Sequence, residues 1–188
     1  MSIILYNTIK RKKEIFKPLI KGEVSLYTCG PTVYDYSHIG NFRTFIFEDI
    51  LKRWLMYSGF KVNHIMNITD VDDKTIRKSN DENISLSELT QFYELEFKKD
   101  INWFKILNAD SYPRATQSIP KIISIISKLL EKEHAYIEKD GSVYFKISSY
   151  EKYGQLSKIK LIKSKVKKNN LKDEYSKESV RDFALWKI

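Results

Sequence analysis

Hydrophobic and polar positions divide the first third of the chain into a strand, a loop, a helix and a second strand. Residues 23–30 are rich in β-branched and aromatic residues and run into Gly-Pro, which predicts a strand that enters a loop. From Gly40 the apolar positions recur every three or four residues, which predicts an amphipathic helix ending near Ser58. Residues 61–68 predict the second strand, and a unit of this kind is right-handed with parallel strands. The helix face that we expect in the core comprises Phe42, Phe45, Ile46, Ile50, Leu51, Trp54 and Leu55.

Two longer helices are predicted after the second strand. Residues 69–83 are polar and favour a short helix or a loop. Ser85 followed by Glu88 is typical of a capping box, so we expect a helix to start there and to reach about Leu107. The apolar side of this helix is expected to include Leu89, Phe92, Phe97, Ile101 and Phe104. Another helix is predicted over residues 119–133, with an apolar stripe of Ile122, Ile123, Ile126, Leu129 and Leu130.

A hairpin and a polar tail follow these helices. Residues 136–145 predict a β-hairpin, because Asp140-Gly141 supplies the positive φ angles of a tight turn. Residues 148–178 are polar and loop-like, and they include the most basic stretch of the chain, residues 158–168. A solvated basic edge is the simplest interpretation of that stretch, and a dedicated binding patch is the alternative. Residues 180–188 become apolar again.

Composition narrows the class of protein. The 188 residues are 42% hydrophobic, which is enough for a real core in one domain plus a lobe. A single cysteine excludes a disulfide framework and a self-contained CxxC zinc site. No run of 18 apolar residues and no signal-peptide pattern occurs, so we expect a cytoplasmic protein without membrane association. The net charge of +9 favours phosphate-rich partners, although codon bias also produces Lys-rich chains.

Polar groups converge where the two predicted strands end. The first strand ends at Cys29 and Gly30, and His38 lies just before the helix that follows. Since ligands bind beyond the carboxyl ends of parallel strands, and helix N-termini attract phosphates, this crevice is a candidate nucleotide site. The second strand ends at residues 67–70 in the same crevice. Taken singly, His38 is more often a helix cap and Cys29 more often a small buried hydrophobe.

Residues 27–41, YTCGPTVYDYSHIGN, closely resemble the start of the cysteinyl-tRNA synthetases, a class I aminoacyl-tRNA synthetase family. Residues 38–41 match the HIGH motif of that class, with Asn41 in place of the final His. The stretch at residues 67–74, NITDVDDK, is specific to this family and to its close relative, the mycothiol-pathway cysteine ligase. Further matching stretches occur in order at residues 6–8, 113–116, 153–157 and 182–187.

The resemblance implies an α/β fold, the Rossmann-like nucleotide-binding fold of class I synthetases, with a parallel sheet and an inserted α+β connective-peptide lobe. Residues 1–112 would form the first half of the catalytic domain, and residues 113–188 an incomplete connective-peptide insertion. The second catalytic half, the KMSKS loop and the anticodon-binding region of the family have no counterpart in this sequence. The isolated chain is therefore expected to be inactive.

The resemblance also implies an activity: ATP-dependent formation of cysteinyl-adenylate and transfer of cysteine to tRNA(Cys). ATP, with Mg²⁺, and L-cysteine would be substrates, tRNA(Cys) a partner, and the complete protein a monomer. The residues implied to be catalytic are His38 and Asn41. Those implied to bind ATP are His38, Gly40, Asn41 and Thr44. Those implied to bind cysteine or the adenylate are Cys29, Gly30, Pro31, Thr32, Asn67, Ile68 and Thr69.

Cys29 would also be one of four zinc ligands, the metal binding the substrate thiolate. His64 and His134 are expected to be structural, and the isolated chain is expected to retain zinc weakly or not at all. Two other functions stay open. The acceptor could be an amino-sugar, as in the mycothiol-pathway ligase, or the chain could be a non-catalytic nucleotide- or RNA-binding module.

Overall fold

The computed structural model describes residues 2–157 and 182–188. They form two compact units, which we call unit 1 (Met1–Ile3 and Ile15–Ile119) and unit 2 (Ile4–Glu14 and Pro120–Ile188). The strands are β1 (Ile4–Asn7), β2 (Lys12–Ile15), β3 (Glu23–Thr28), β4 (Lys61–Met66), β5 (Ala135–Ile137), β6 (Val143–Phe145) and β7 (Phe183–Trp186). The helices are α1 (Ile39–Tyr57), α2 (Asp73–Asp81), α3 (Leu86–Trp103) and α4 (Ile119–Glu131). No helix in the described residues is long and apolar enough to cross a membrane.

The predicted strand–helix–strand arrangement is confirmed in unit 1. Strands β3 and β4 pair in parallel, in a register that runs from Glu23 opposite Lys61 to Thr28 opposite Met66, and α1 connects them. Residues 111–115 extend the sheet beyond β4, because Ile65 and Ile68 form parallel bridges with Ser111 and Arg114. The carboxyl ends of the strands therefore lie at one edge, which is where the sequence placed the candidate site.

The core of unit 1 lies between α1, α3 and the sheet. Its buried residues are Val33, Phe42, Phe45, Met66, Ile68, Leu89, Tyr93, Phe97, Ile101 and Ile106. The predicted core positions of Ile50 and Trp54 are wrong, because their side chains are 58% and 45% exposed, and Trp54 stacks on Tyr57. Helix α1 carries apolar residues on two faces, and the face that turns inward includes the polar residues Glu48 and Lys52. Lys52 is accommodated there because its ammonium donates to the carbonyl of Asn108 at 2.7 Å.

Helix α3 starts and ends for local reasons. The capping box is confirmed, since Ser85 Oγ accepts from the backbone N–H of Glu88, and the Glu88 carboxylate accepts from the backbone N–H of Ser85. The helix ends at Trp103 and not near Leu107, because Lys105 has a φ of 56°, which a right-handed helix cannot include. Phe92, which was expected on the apolar side, is exposed. The polar segment before this helix forms α2.

Unit 2 contains α4 and the predicted hairpin. Strands β5 and β6 are antiparallel, and Gly141 in their turn has a φ of 88°. Strand β7, which the sequence pattern did not reveal, pairs with β6, and Ile126, Ala135 and Val143 form the buried cluster. Ile123 is exposed, so the stripe of α4 is narrower than expected. The β1–β2 pair was also not predicted, and the basic stretch at residues 158–168 lies outside the described residues.

Candidate active site

A cleft of about 460 Å³ opens in unit 1 where β3 ends and α1 begins. Most of the candidate residues from the sequence meet there, although they come from the loop after β3 and from the first turns of α1. Those that line the cleft are Cys29, Gly30, Pro31, Thr32, His38, Asn41 and Thr44. Gly40, Asn67, Ile68 and Thr69 do not line it.

Asn67 holds the floor of the cleft in place from the end of β4. Its Oδ1 accepts hydrogen bonds from the backbone N–H of Gly30 at 3.1 Å and from the hydroxyl of Tyr27 at 3.0 Å. The two chain segments approach so closely that a Cβ at position 30 would lie 1.8 Å from the carbonyl oxygen of Asn67. Only glycine fits here, and the polypeptide beside Cys29 is fixed as a result.

The other two candidates at the end of β4 also act through the backbone. Thr69 donates its N–H to the carbonyl of Pro31 at 3.0 Å and accepts from the N–H of Val33 at 3.1 Å. The side chain of Ile68 is fully buried in the core, and both of its backbone groups bond to residues 113–115. These contacts connect the added sheet segment to the loop that lines the cleft.

His38 and Asn41 form a reciprocal cap on α1. The backbone N–H of Gly40 donates to Nδ1 of His38 at 3.0 Å, and the backbone N–H of His38 donates to Oδ1 of Asn41 at 3.1 Å. Because Nδ1 accepts, the proton of the neutral imidazole lies on Nε2. The amide of Asn41 likewise uses its oxygen in the cap and keeps its NH₂ as a donor. The cap therefore leaves donor groups of both side chains for a ligand in the cleft.

Gly40 matters to this arrangement although it does not line the cleft. A Cβ at position 40 would lie 2.8 Å from Cε1 and 2.9 Å from Nδ1 of His38, so any side chain would push the ring aside. The sequence suggested only that a flat base could lie against this glycine. The structure shows that the imidazole of His38 already uses the space.

The described residues do not by themselves fit a zinc site. Cys29 is an exposed free thiol, and no group of three His, Cys, Asp or Glu side chains within residues 2–157 and 182–188 could hold a metal ion. His64 shares a 2.9 Å hydrogen bond with the hydroxyl of Thr28, and His134 shares one of 2.8 Å with Ser149. A structural zinc site needs four ligands, and Cys29 supplies one thiolate.

A buried polar cluster lies at the end of β3, next to Cys29, and the sequence pattern did not predict it. Glu48, His64 and Thr28 are all buried, and one oxygen of Glu48 and Nδ1 of His64 have no hydrogen-bond partner in the described part of the chain. Burial raises the pKa of Glu48, and the Thr28 hydroxyl opposes part of that rise. Burial, with the charge of Lys52, lowers the pKa of His64. In the sequence, the cluster is indicated by Glu48 and Lys52, two charged residues that share the spacing of the core positions in α1.

Charged residues at the cleft were also missed. Lys74 and Asp35 both line the cleft, and Lys74 is the one Lys or Arg in its described lining. The carboxylate of Asp35 lies 3.5 Å from the ammonium of Lys78. The ammonium of Lys74 lies 5.2 Å from the centroid of the Tyr34 ring. The two lysines fall one helical turn apart on α2, a spacing that could have drawn attention to them.

Comparison with known proteins places these residues in a family. A family model for the catalytic domain of class I (C) tRNA synthetases matches residues 15–188. The chain is 52% identical over 186 residues to a cysteine–tRNA ligase of Chlamydia felis, which covers 99% of this chain and 39% of that protein. It is 50% identical over 183 residues to a cysteine–tRNA ligase of Methanosarcina mazei, covering 97% of this chain and 38% of that protein. The chain thus spans less than half the length of these relatives.

A solved structure supports the fold. The LeuRS of a LeuRS–tRNA–LeuAMS ternary complex from Agrobacterium radiobacter K84 superposes with a TM-score of 0.56 at 17% identity. The match covers 71% of this chain and 17% of the other. At this identity the likeness concerns the fold, and it agrees with the parallel strands and the helix between them.

Proposed function

Because this chain belongs to the family of class I (C) tRNA synthetase catalytic domains, we propose that it carries the nucleotide-binding part of a cysteine–tRNA ligase. The reaction would join L-cysteine to ATP as cysteinyl-adenylate and then pass the cysteine to tRNA(Cys). The observation that supports this most is the cleft in which Cys29, His38 and Asn41 come together. Such a reaction needs a thiol and hydrogen-bond donors for phosphate oxygens in one place, and the cleft contains both.

The two parts of the chain would have different roles. We assign residues 1–112 to the first half of the nucleotide-binding fold and residues 113–188 to a connective insertion. The division of the chain into compact units at Ile119 supports a boundary in this region. All residues of the cleft belong to unit 1.

In the activation step, a carboxylate oxygen of cysteine attacks the α-phosphorus of ATP, and pyrophosphate leaves. Negative charge grows on the phosphate oxygens as the new P–O bond forms. His38 would donate from Nε2–H and Asn41 from its NH₂ group, and the N-terminal end of α1 adds a partial positive charge. Since the cap already fixes both side chains, they need little rearrangement when the charge appears.

Cysteine recognition would involve the thiol of Cys29. In a complete zinc site, Cys29 would be one ligand, and a zinc–thiolate bond would favour cysteine over serine because a soft metal–sulfur contact has no hydroxyl equivalent. The other ligands would have to come from outside the described residues. No part of the activation step above depends on the metal. ATP would enter as its Mg²⁺ complex, and the protein is expected to act in the cytoplasm.

ATP–pyrophosphate exchange tests the proposal on the protein as its gene encodes it. We expect exchange that depends on cysteine, is not supported by serine, and is lost in Cys29→Ala and in His38→Asn. His134→Asn is the matched control, because it makes the same change in unit 2 and should keep the exchange. A folded protein without cysteine-dependent exchange would contradict the proposal.

The acceptor is tested separately. The same protein is offered tRNA(Cys) and an amino-sugar, each with radiolabelled cysteine and ATP. We expect labelled tRNA and no labelled sugar. Label in the sugar alone would assign the chain to the other branch of the family.

A further inference from the structure

We propose that Lys74 is a further binding residue of the cleft, and that its ammonium group holds a phosphate group of the nucleotide. This assignment rests on the proposed function, since it names a group that binds the same substrate. Lys74 lines the same cleft as His38 and Asn41 and is the one Lys or Arg in its described lining. The sequence motifs gave it no role.

The start of α2 fixes where Lys74 stands. Asp72 is the N-cap of this helix, and its Oδ1 accepts from the backbone N–H groups of Lys74 and Thr75, both at 2.9 Å. The first amides of α2 are therefore occupied by a carboxylate, so they are not available to an anion. Lys74 is the residue of α2 in the described lining of the cleft, so α2 can act on an anion there through the side chain of Lys74.

The positive charge of Lys74 is available for a ligand. The carboxylate of Asp35, which also lines the cleft, pairs with Lys78 at 3.5 Å and accepts from the backbone N–H of Tyr36 at 2.9 Å. The ammonium of Lys74 instead lies over the ring of Tyr34, 5.2 Å from its centroid. An aromatic face orients a cation without neutralising it, so the charge still acts on an incoming anion.

Phosphate is the anion that fits this arrangement. A lysine binds phosphate as a compact point charge with three hydrogen-bond donors. The neighbouring donors are Nε2–H of His38 and the NH₂ group of Asn41, which the cap of α1 leaves for phosphate oxygens. The several negative charges of a nucleotide triphosphate need more than two neutral donors, and Lys74 supplies a full positive charge.

The test compares Lys74→Met with Arg77→Met in the full natural protein. Both residues are exposed and lie on α2, so the two variants lose the same charge from the same helix, but Arg77 does not line the cleft. Binding of adenosine, pyrophosphate, cysteine and a non-hydrolysable ATP analogue is measured by calorimetry. We expect Lys74→Met to weaken the binding of the ATP analogue and of pyrophosphate by about tenfold or more, which is the effect of losing one charge-assisted contact. Adenosine and cysteine should bind as before, and Lys74→Arg should recover most of the loss.

The outcomes separate this assignment from the proposed function. If the unsubstituted protein binds the ATP analogue and Lys74→Met binds it equally well, the assignment is wrong and the proposed function stands. If Lys74→Met weakens the binding of cysteine and not that of the ATP analogue, the ammonium binds a carboxylate, and the assignment to phosphate is wrong. An equal loss in Arg77→Met would show a long-range charge effect and also contradict it. If the unsubstituted protein binds no ATP analogue, both fail.

Discussion

The Cα of Gly40 lies against the imidazole ring of His38, so closely that a Cβ on residue 40 would come within 2.8 Å of Cε1. The same ring accepts the N–H of Gly40 and so caps helix α1. Residue 40 thus controls where the ring of residue 38 can lie. The position of a proposed catalytic group depends on the absence of a side chain two residues later.

Gly40→Ala should weaken nucleotide binding without unfolding the protein. The new Cβ displaces the ring of His38, which costs about 1 kcal/mol of capping. Alanine in a helix is more favourable than glycine by a similar amount, about 1 kcal/mol, so the two effects nearly cancel. We expect an almost unchanged urea midpoint and a loss of ATP affinity of at least tenfold, measured by calorimetry.

A double-mutant cycle isolates the contact between these two residues. In a His38→Ala background no ring is present, so Gly40→Ala should raise the free energy of unfolding by up to about 1 kcal/mol. If Gly40→Ala changes the free energy of unfolding by the same small amount in both backgrounds, the contact with the ring does not determine the effect of this substitution.

His38→Asn should separate capping from ligand binding. Asparagine is among the best N-cap residues, so the free energy of unfolding should stay within about 0.5 kcal/mol of the original value. The imidazole Nε2–H, which the cap leaves for the ligand, is lost. Denaturant unfolding and pyrophosphate exchange on the same preparation measure the two effects. A large loss of stability would show that the ring has a packing role beyond the cap.

Glu48→Gln should stabilise the protein at neutral pH and not in acid. Because burial raises the pKa of folded Glu48 above its ordinary 4.5, its contribution to stability is full below pH 4.5 and is lost as the pH rises through the folded pKa. Glutamine removes the buried charge, so the variant should have a higher free energy of unfolding than the original protein near pH 8. The gain should shrink towards zero near pH 4.

Urea unfolding from pH 4 to pH 8 measures this difference. Glu131→Gln, at the exposed end of α4, is the matched control and should show no comparable trend. A difference for Glu48→Gln that is constant with pH would contradict the assignment of the effect to ionisation.

Glu94→Gln should cost about 3 kcal/mol of unfolding free energy, because Arg114 would be left with a partly unpaired charge. Both carboxylate oxygens of Glu94 accept from Arg114 at 2.7 Å, and Lys98 adds a third contact at 2.6 Å. Burial acts to raise the pKa of Glu94, but the hydrogen bonds from Arg114 and Lys98 outweigh it and the pKa is lowered. The contribution of Glu94 is therefore present above pH 4.5 and is lost as the pH falls through the folded pKa.

Thermal unfolding near pH 7 and pH 3.5 checks this prediction. Glu96→Gln removes an ion pair with Lys99 from the same helix and should cost less than about 0.5 kcal/mol, since exposed pairs contribute little. Equal losses in the two variants would show that burial of the pair has no special effect.

Local signals in the sequence predicted the elements that depend on local interactions. The capping box at Ser85, the turn at Gly141 and the helix before Ser58 all follow from residues a few positions apart. Strand β7 was not predicted because it forms against β6, and its start is held by two hydrogen bonds that Asp182 accepts from Ile147 and Tyr136. Such partners are distant in sequence and leave no periodic pattern.

The candidate site was predicted largely through the family resemblance. Spacing alone brought Cys29, His38 and residues 67–70 to one edge of a sheet, and the parallel register confirms that edge. Spacing could not show that Lys52 and Glu48 face the core, because their burial depends on tertiary partners such as Asn108. For the same reason Trp54, an apolar residue at suitable spacing, was wrongly expected inside.

The floor of the cleft joins residues that are far apart along the chain. The hydrogen bonds of Asn67 with Tyr27 and with Gly30 span 40 and 37 residues. A newly made chain therefore has no cleft until β4 has been synthesised and has paired with β3. Capture of a fluorescent nucleotide by ribosome-bound chains of increasing length would then date the moment at which the cleft forms.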